Sequence, residues 1–334
     1  MTTNGKVALV TGASRSVGKG IALALGSDGW TVYVTARGTV GDDGPLDRTA
    51  AEITERGGHG IAVQCDHADD QQIVDLFARI AEEQSGRLDL LVNNVWANPA
   101  GYAGFADPFW KRPIDDWDSL IGIGLRAHYV ASVEAAKLMV PRGSGVIGNI
   151  SSFGTRGYLH SVLYGMSKAG LDKMAADMAV ELKGTGVTAL SFWLGLIRNE
   201  RMEASGIESF EGFSLAEAET PEFVGQVITA LANDPEVNAR SGHTLITAET
   251  AVEYGITDAT GNNRRHTAVP SVAARFSDSS VAVVASRAGT ARGAATRAFR
   301  ASQAHPMTTT PPATIEGDNA SPRISADQAM LSTG

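Results

Sequence analysis

The chain has 334 residues, 43% of them apolar and 19% charged, which supports a folded core and excludes a fully disordered chain. Its net charge of −9 argues against nucleic acid as a ligand, because nucleic-acid-binding surfaces are basic. The longest apolar run, residues 187–197, is shorter than the roughly 20 residues needed to cross a bilayer, so we expect no membrane span.

Short strands alternate with amphipathic helices along residues 1–260, which predicts one α/β domain. Each strand is dense in Val, Ile or Leu, as in parallel strands buried on both faces. Right-handed crossovers then predict a single Rossmann-like doubly wound parallel sheet, with helices on both faces and ligands at the carboxyl ends of its strands. The predicted strands are residues 7–11, 30–35, 60–66, 88–93, 145–151, 187–193 and 243–247, and helical spacing occurs at 21–25, 73–81, 117–140 and 169–182.

The composition changes after residue 260. Ser, Thr, Ala, Pro and Arg dominate residues 261–334, and this segment contains no periodic apolar face. Such a composition is typical of a disordered tail. Eight arginines between residues 264 and 334 leave a second interpretation open, in which the tail contacts an anionic partner.

The first predicted strand runs into a glycine-containing turn, Thr11-Gly12-Ala13-Ser14-Arg15-Ser16-Val17-Gly18. A turn between a strand and a helix brings backbone N–H groups, and the positive end of the helix, close to a pyrophosphate. Tight packing alone would also call for glycine, but the position after the first strand favours phosphate binding.

A second pattern lies just before the helical spacing at 169–182, where Tyr164 and Lys168 stand four residues apart and would share one face of a helix. An ammonium group near a phenol stabilises the phenolate, which suits the phenol to general acid–base chemistry near neutral pH. Ser151 and Ser152 end the fifth strand, and either hydroxyl can donate a hydrogen bond to a substrate oxygen. We favour Ser152, and a packing role for Tyr164 is the structural alternative.

Together these motifs resemble the short-chain dehydrogenase/reductase family, over residues 5–258. The resemblance implies that Ser152, Tyr164 and Lys168 are catalytic and that Lys168 also holds the nicotinamide ribose. No metal site is implied. The cofactor-binding residues it implies are Gly12, Ser14, Arg15, Ser16, Val17, Gly18, Arg37, Asp66, Asn93, Tyr164, Lys168 and Ile197.

The cofactor implied is NADP(H), with NAD(H) as the alternative. Dinucleotide folds that prefer NAD place an acid at the end of the second strand, whereas an arginine there suits a 2′-phosphate. Arg37 stands at this place, and Arg15 can add a second guanidinium. Asp66 matches the family's acid beside adenine, Asn93 begins its Asn-Asn motif, and Ile197 matches a backbone contact to the nicotinamide.

Several positions depart from the family pattern. Ser16 replaces the middle glycine of the turn, Leu194 replaces a proline, and Gly124 stands where a catalytic asparagine is usual. Trp96 replaces a glycine, and we interpret it as a wall of the substrate site or as core. Gly124 and its surroundings resemble the branch called dehydrogenase/reductase SDR family member 1. The residues that carry this second resemblance are Trp110, Trp117, His128, Tyr129 and the segment 138–141.

The substrate implied is a small apolar carbonyl or alcohol compound. Tyr102, Phe105, Phe109 and Trp110 predict an aromatic rim over residues 96–118, whereas His160 is interpreted as a loop residue and not a catalyst. We therefore predict an NADP(H)-dependent oxidoreductase. A nucleotide-binding protein with little catalysis is the alternative. A hydrolase is a weaker third, because no His and acid stand in a recognisable order with the serine.

The sequence also supports expectations about the oligomeric state and the cellular compartment of the protein. The resemblance implies a homodimer or homotetramer. Cys65 is the sole cysteine, which excludes an internal disulfide and fits a reducing compartment. The N-terminal residues lack the pattern of a signal peptide, so we expect a cytoplasmic protein.

Overall fold

The computed structural model describes residues 5–41, 43–97, 107–210 and 213–258. The tail at 261–334, and Tyr102 and Phe105 of the predicted rim, lie outside these ranges. Within them, no helix is both long enough and apolar enough to cross a membrane.

Seven parallel strands form the main sheet, in the order β3-β2-β1-β4-β5-β6-β9. All seven predicted strands are present, and the predicted doubly wound sheet is confirmed. Its strands are β1 (Val7–Val10), β2 (Thr31–Ala36), β3 (His59–Gln64), β4 (Leu90–Asn93), β5 (Gly145–Ser152), β6 (Val187–Leu194) and β9 (Thr244–Ile246). Two short strands, β7 (Ser209–Phe210) and β8 (Phe213–Ser214), form a separate antiparallel pair.

Helices connect the strands. They are α1 (Ser16–Ser27), α2 (Pro45–Glu55), α3 (Asp70–Glu83), α4 (Ala127–Arg142), α5 (Val162–Glu181), α6 (Glu200–Ser205), α7 (Pro221–Asn233) and α8 (Thr247–Glu253), with 3₁₀ turns at Phe109–Lys111, Phe153–Thr155, Leu215–Glu217 and Val237–Arg240. Helices α2 and α7 were not predicted, although each begins with a proline, which favours the first helical position.

The predicted helix at 117–140 is divided in the structure. Residues Asp118–Arg126 wind as a π-helix before α4 begins. Gly122 and Gly124 lie within this segment, and glycine is a weak helix former that tolerates irregular winding. Helical periodicity alone does not distinguish the two windings, so the sequence predicted one element.

Both faces of the sheet are buried. In β1, Ala8 and Val10 belong to a cluster with residues of α1, α2 and α7, whereas Val7 and Leu9 belong to a cluster with residues of α3 and α4. Successive side chains of a strand point to opposite faces, so apolar residues are needed at every position. This explains the continuous apolar runs in the sequence.

Strand order reverses between β1 and β4. The chain leaves β1 toward β2 and leaves β4 toward β5, so the loops after β1 and β4 diverge and open a crevice at the carboxyl edge of the sheet. Helix α1 is fixed beside this crevice by close packing on α7, because a Cβ on Gly20 would lie only 2.2 Å from the carbonyl carbon of Pro221.

Candidate active site

A cavity of about 1410 Å³ opens at the carboxyl edge of the sheet. Every predicted site residue except Asn93 lines it. The lining comes from the ends of six neighbouring strands, which is where a doubly wound sheet binds ligands. Each of β1 to β6 contributes a lining residue at its end or just after it. In the order β1 to β6 these residues are Gly12, Arg37, Asp66, Asn94, Ser152 and Leu194.

Asn93 takes a different position from the one expected. Its side chain is fully buried, and its amide N–H donates to Ser132 Oγ and to Asn149 Oδ1, both at 2.9 Å. It therefore connects β4 to α4 and β5 inside the protein. The next residue, Asn94, lines the cavity in its place.

Ser152, Tyr164 and Lys168 come together within the cavity. The Tyr164 hydroxyl donates to Ser152 Oγ at 3.0 Å, and the Lys168 Nζ lies 5.7 Å from the centre of the Tyr164 ring. Ser151 is buried and donates instead to the main-chain oxygen of Lys168 at 3.2 Å. The structure thus separates the two serines that the sequence left as competitors.

Lys168 is held in an apolar environment that changes its protonation. Its Nζ donates to the Ile150 carbonyl oxygen at 2.9 Å. Burial lowers the pKa of Lys168 to about 8, although the negative charge of Asp172 opposes this shift. An ammonium group with a pKa in this range can exchange protons near neutral pH.

Two further rings contact Tyr164. The Trp96 and Tyr164 ring centres are 6.2 Å apart and perpendicular, and the His160 and Tyr164 centres are 4.8 Å apart at 82°. His160 does lie in a loop, but its contact with Tyr164 was not foreseen. Burial, together with the charge of Lys168, lowers the pKa of His160 to about 4, so the imidazole is neutral at neutral pH.

The backbone of His160 is strained. Its φ is +59°, and the Ser161 N–H donates to the Leu159 carbonyl at 2.7 Å, which makes His160 the centre of a three-residue turn. A residue with a side chain rarely adopts this conformation, and such strain is concentrated at functional sites.

The glycine turn accommodates Ser16 in the position where the family pattern has a glycine. Gly12 has φ +69° and Ser16 has φ +51°, so the serine adopts the left-handed conformation that glycine favours. The Ser16 N–H donates to a carboxylate oxygen of Glu200 at 3.0 Å. A carboxylate at the N-terminus of α1 demonstrates that this end accepts an anion, and the turn therefore fits a phosphate group.

Three arginines line the cavity. They are Arg15 in the glycine turn, Arg37 just after β2 and Arg48 of α2, and Arg48 was not found from the sequence. Asp66 also lines the cavity, and one of its carboxylate oxygens accepts from the Ala68 N–H at 3.0 Å. Among the residues that the structure describes, no group of His, Cys, Asp or Glu side chains could hold a metal ion.

The loop that contains Ile197 is held in place although Leu194 replaces a proline. The Glu219 N–H donates to the Leu196 carbonyl at 2.7 Å, and the Arg198 N–H donates to the Glu219 carbonyl at 2.9 Å. Two backbone hydrogen bonds to one residue restrict the loop in the way a proline would. Ile197 lines the cavity as predicted.

The aromatic rim differs from the prediction. Phe109 and Trp110 are 65% and 70% exposed, contact each other at 5.3 Å between ring centres, and are not among the described residues that line the cavity. Trp96, Phe153 and Tyr158 line it instead. No sequence signal marked Phe153 or Tyr158, because their positions depend on how the loops after β5 fold.

The chain is similar to known proteins over most of its length. The family model described as short chain dehydrogenase matches residues 6–208. Human dehydrogenase/reductase SDR family member 1 is 39% identical over 269 residues, which cover 77% of this chain and 84% of that protein. A 3-oxoacyl-[acyl-carrier-protein] reductase from Synechocystis is 34% identical over 245 residues, 72% of this chain and 94% of that protein. These matches confirm the predicted resemblance, including the branch.

A solved structure is also similar. A metagenomic short-chain oxidoreductase in complex with NADP has a TM-score of 0.58 and 29% identity, and the match covers 71% of this chain and 94% of that chain.

Proposed function

Because the chain belongs to the short-chain dehydrogenase/reductase family, we propose that it is an NADP(H)-dependent carbonyl reductase with Tyr164 as its general acid. The membership itself makes the chain an oxidoreductase of carbonyl or alcohol groups that uses NAD or NADP. The observation that carries the finer proposal is the Tyr164–Ser152 hydrogen bond, inside the cavity that also contains the glycine turn.

Each side chain of the group has a role in this proposal. Ser152 Oγ accepts from Tyr164 and, at 3.0 Å, from the Gly154 N–H, so its own hydrogen is directed toward a third partner. A substrate carbonyl oxygen beside both hydroxyls would receive a hydrogen bond from Ser152 and, once the Tyr164 O–H turns from Ser152 to the substrate, a second from Tyr164. Donors placed in this way stabilise the negative charge that develops on the oxygen.

The proton transfer follows from the same geometry. When bound, NADPH supplies the hydride that reduces the carbonyl carbon. Tyr164 gives its phenolic proton to the carbonyl oxygen, and the product is an alcohol. Lys168 stabilises the resulting phenolate and, with its pKa near 8, returns a proton to it.

The preference for NADP(H) is supported by charge. Arg15, Arg37 and Arg48 line the cavity, and Ala36 stands where an acid would face a ribose hydroxyl. A 2′-phosphate is matched by guanidinium groups. The proposal of an apolar substrate is supported by Trp96 and by other apolar residues that line the cavity, among them Ile123, Phe153 and Leu159.

A carbonyl screen tests the proposed function. The purified protein is incubated with NADPH or NADH and a panel of ketones, aldehydes and steroids, and loss of reduced-cofactor fluorescence is followed. We expect turnover that is faster with NADPH. Tight NADPH binding without turnover of any compound would favour the alternative, a nucleotide-binding protein with little catalysis.

Assembly and location are proposed on separate grounds. Helices α4 and α5 expose apolar side chains that a second subunit would cover in a homodimer or homotetramer: Tyr129, Val140, Val162, Met166 and Val180. Light scattering of the purified protein measures its mass in solution and therefore the number of subunits. A cytoplasmic location is supported by Cys65, which is a free, buried thiol whose pKa burial raises to about 12.

A further inference from the structure

Trp96 projects from a rigid piece of backbone. Thr11 Oγ1 accepts from the N–H groups of Asn94 and Val95, at 2.9 and 3.1 Å, and the Val95 carbonyl lies 2.8 Å from His128 Nε2. The two residues before Trp96 are thereby fixed to β1 and α4. The indole has little freedom to move away from its neighbours.

One of those neighbours is Gly124, in the π-helical segment. A Cβ on Gly124 would lie 3.4 Å from Trp96 Cδ1 and 4.0 Å from its Nε1, and 3.0 Å from Ser167 Oγ. The edge of the indole therefore occupies the space that a longer side chain at 124 would enter. A Cβ alone would be in ordinary van der Waals contact with the indole, and its tightest approach would be to Ser167 Oγ, which donates to the Gly124 carbonyl at 3.1 Å.

The other neighbour is the Tyr164 ring. Trp96 stands perpendicular to it at 6.2 Å between ring centres, and His160 contacts it at 4.8 Å. Edge-to-face contacts of this kind are favourable and directional. The phenol is consequently held by two rings while its hydroxyl lies 3.0 Å from Ser152 Oγ.

We infer that Trp96 and Gly124 form a steric pair, in which the indole fills the space beside Gly124 and positions the Tyr164 phenol for proton transfer. The two departures from the family pattern are then one change, because a side chain at 124 longer than that of alanine would enter the space that the indole fills. Trp96 is a positioning residue that acts through Tyr164. The inference rests on the proposed function, since it assigns Tyr164 as the proton donor.

A matched pair of substitutions isolates the contact. Gly124→Leu and Gly122→Leu each add the same side chain to the π-helical segment, but a Cβ on Gly122 meets no atom within 4 Å. We expect Gly124→Leu to lower kcat about tenfold, because a displacement of about 1 Å can cost as much as 100-fold in rate. Gly122→Leu should change kcat less than twofold, and both should bind NADPH like the parent protein. Gly124→Ala controls for the contact with Ser167 Oγ and should lower kcat less than Gly124→Leu does.

A double-mutant cycle then tests whether the effect passes through Trp96. Trp96→Ala should lower kcat by itself, and adding Gly124→Leu should lower it no further. Trp96→Phe, which keeps a smaller ring, should retain most of the activity and tolerate Gly124→Leu. The inference is overturned if Gly124→Leu behaves like Gly122→Leu, or if its loss is the same with and without Trp96.

Stability measurements separate this inference from the proposed function. Gly124→Leu should melt at a lower temperature than Gly122→Leu when Trp96 is present, and at the same temperature in the Trp96→Ala background. If the parent protein binds NADPH but reduces no carbonyl, the proposed function fails, and the melting cycle still decides the pair. Equal melting temperatures in both backgrounds would refute the pair even in an active enzyme.

Discussion

At the scale of single residues, the site depends on side-chain direction along β5. Ser151 and Ser152 are adjacent, and neighbouring strand residues point to opposite faces. Ser151 therefore bonds to the main chain of α5, whereas Ser152 reaches the Tyr164 hydroxyl. The same alternation at the end of β4 buries Asn93 and leaves Asn94 at the cavity.

Replacing Tyr164 tests the proposed proton donor. Tyr164→Phe keeps the ring and removes the hydroxyl, so NADPH binding should survive while kcat falls by roughly 10²- to 10⁴-fold, the usual range for general acid catalysis. Tyr254→Phe, which removes a hydroxyl that bonds to Asp234 and does not line the cavity, is the control and should leave kcat unchanged. Equal turnover by Tyr164→Phe and the parent protein would show that the assigned mechanism is wrong.

Residues at the end of β2 should determine whether the protein binds NADPH or NADH more tightly. The double substitution Ala36→Asp and Arg37→Ala places an acid near the ribose and removes a guanidinium, so it should reverse the preference from NADPH to NADH. Fluorescence titration with both cofactors measures the dissociation constants. Arg79→Ala, on the surface of α3, controls for the loss of a positive charge. Equal affinities of the parent protein for NADPH and NADH would contradict the assignment.

Ser16 should be more strained than the glycine it replaces. A left-handed backbone costs an L-residue roughly 1–2 kcal/mol relative to glycine, so Ser16→Gly should raise the free energy of unfolding by about 1 kcal/mol. It should also tighten dinucleotide binding, because it removes a side chain from the closest approach to the phosphates. Ser85→Gly is the control, since Ser85 also has a positive φ of +52° but does not line the cavity, so this change should stabilise the fold without changing dinucleotide binding. Looser cofactor binding by Ser16→Gly would indicate that the serine hydroxyl donates to phosphate.

At the scale of secondary-structure elements, two helix N-termini meet at the cavity. Asn199 caps α6, with its side-chain oxygen accepting from the N–H groups of Arg201 and Met202 at 3.1 and 3.0 Å. The cap fixes where α6 begins, and Glu200 then extends to the N-terminus of α1. Its carboxylate thus lies where the turn would bind a phosphate group.

Removing the negative charge of Glu200 should strengthen the binding of NADPH. Glu200→Gln should lower the dissociation constant for NADPH several-fold, because a carboxylate no longer competes for the positive end of α1. The gain should shrink at high salt, which screens exposed charges. Glu203→Gln on the same helix is the control. Weaker NADPH binding by Glu200→Gln would show instead that the carboxylate holds the loop in its binding conformation.

At the scale of the whole molecule, buried histidines connect the sheet to the site. His67 Nε2 lies 2.8 Å from Thr35 Oγ1, which accepts from the Gly12 N–H at 3.3 Å. Burial lowers the pKa of His67 to about 4, and that of His128 to about 3. Both imidazoles are therefore neutral in the folded protein at neutral pH.

This neutrality predicts acid sensitivity. An unfolded histidine has a pKa of about 6.5, so below that pH the unfolded chain binds more protons than the folded one, and stability falls as pH decreases toward 4. His67 alone should contribute a loss of the order of 3 kcal/mol across this window. Denaturant unfolding at several pH values measures it. His67→Gln should flatten the dependence and exposed His243→Gln should not, whereas an unchanged slope for His67→Gln would contradict the assignment.

The sequence by itself determined the class of fold and most of the site. Apolar runs separated by helical spacing predicted seven strands and a doubly wound sheet, because burial on both faces leaves a clear signal in composition. The glycine turn and the Tyr164–Lys168 spacing located both ends of the cavity, since each motif is local and its spacing is set by one turn or one helix.

The tertiary structure alone decided which side chains meet across elements. The positions of Trp96 over Gly124, of His160 against Tyr164, of Arg48 at the cavity and of Glu200 at α1 depend on loops packed from distant parts of the chain. Hydrophobic periodicity does not predict such contacts, because it indicates which face of an element is buried and not which residues that face contacts. The candidate site residues could therefore be recognised from local motifs, whereas their positions relative to one another depend on tertiary packing.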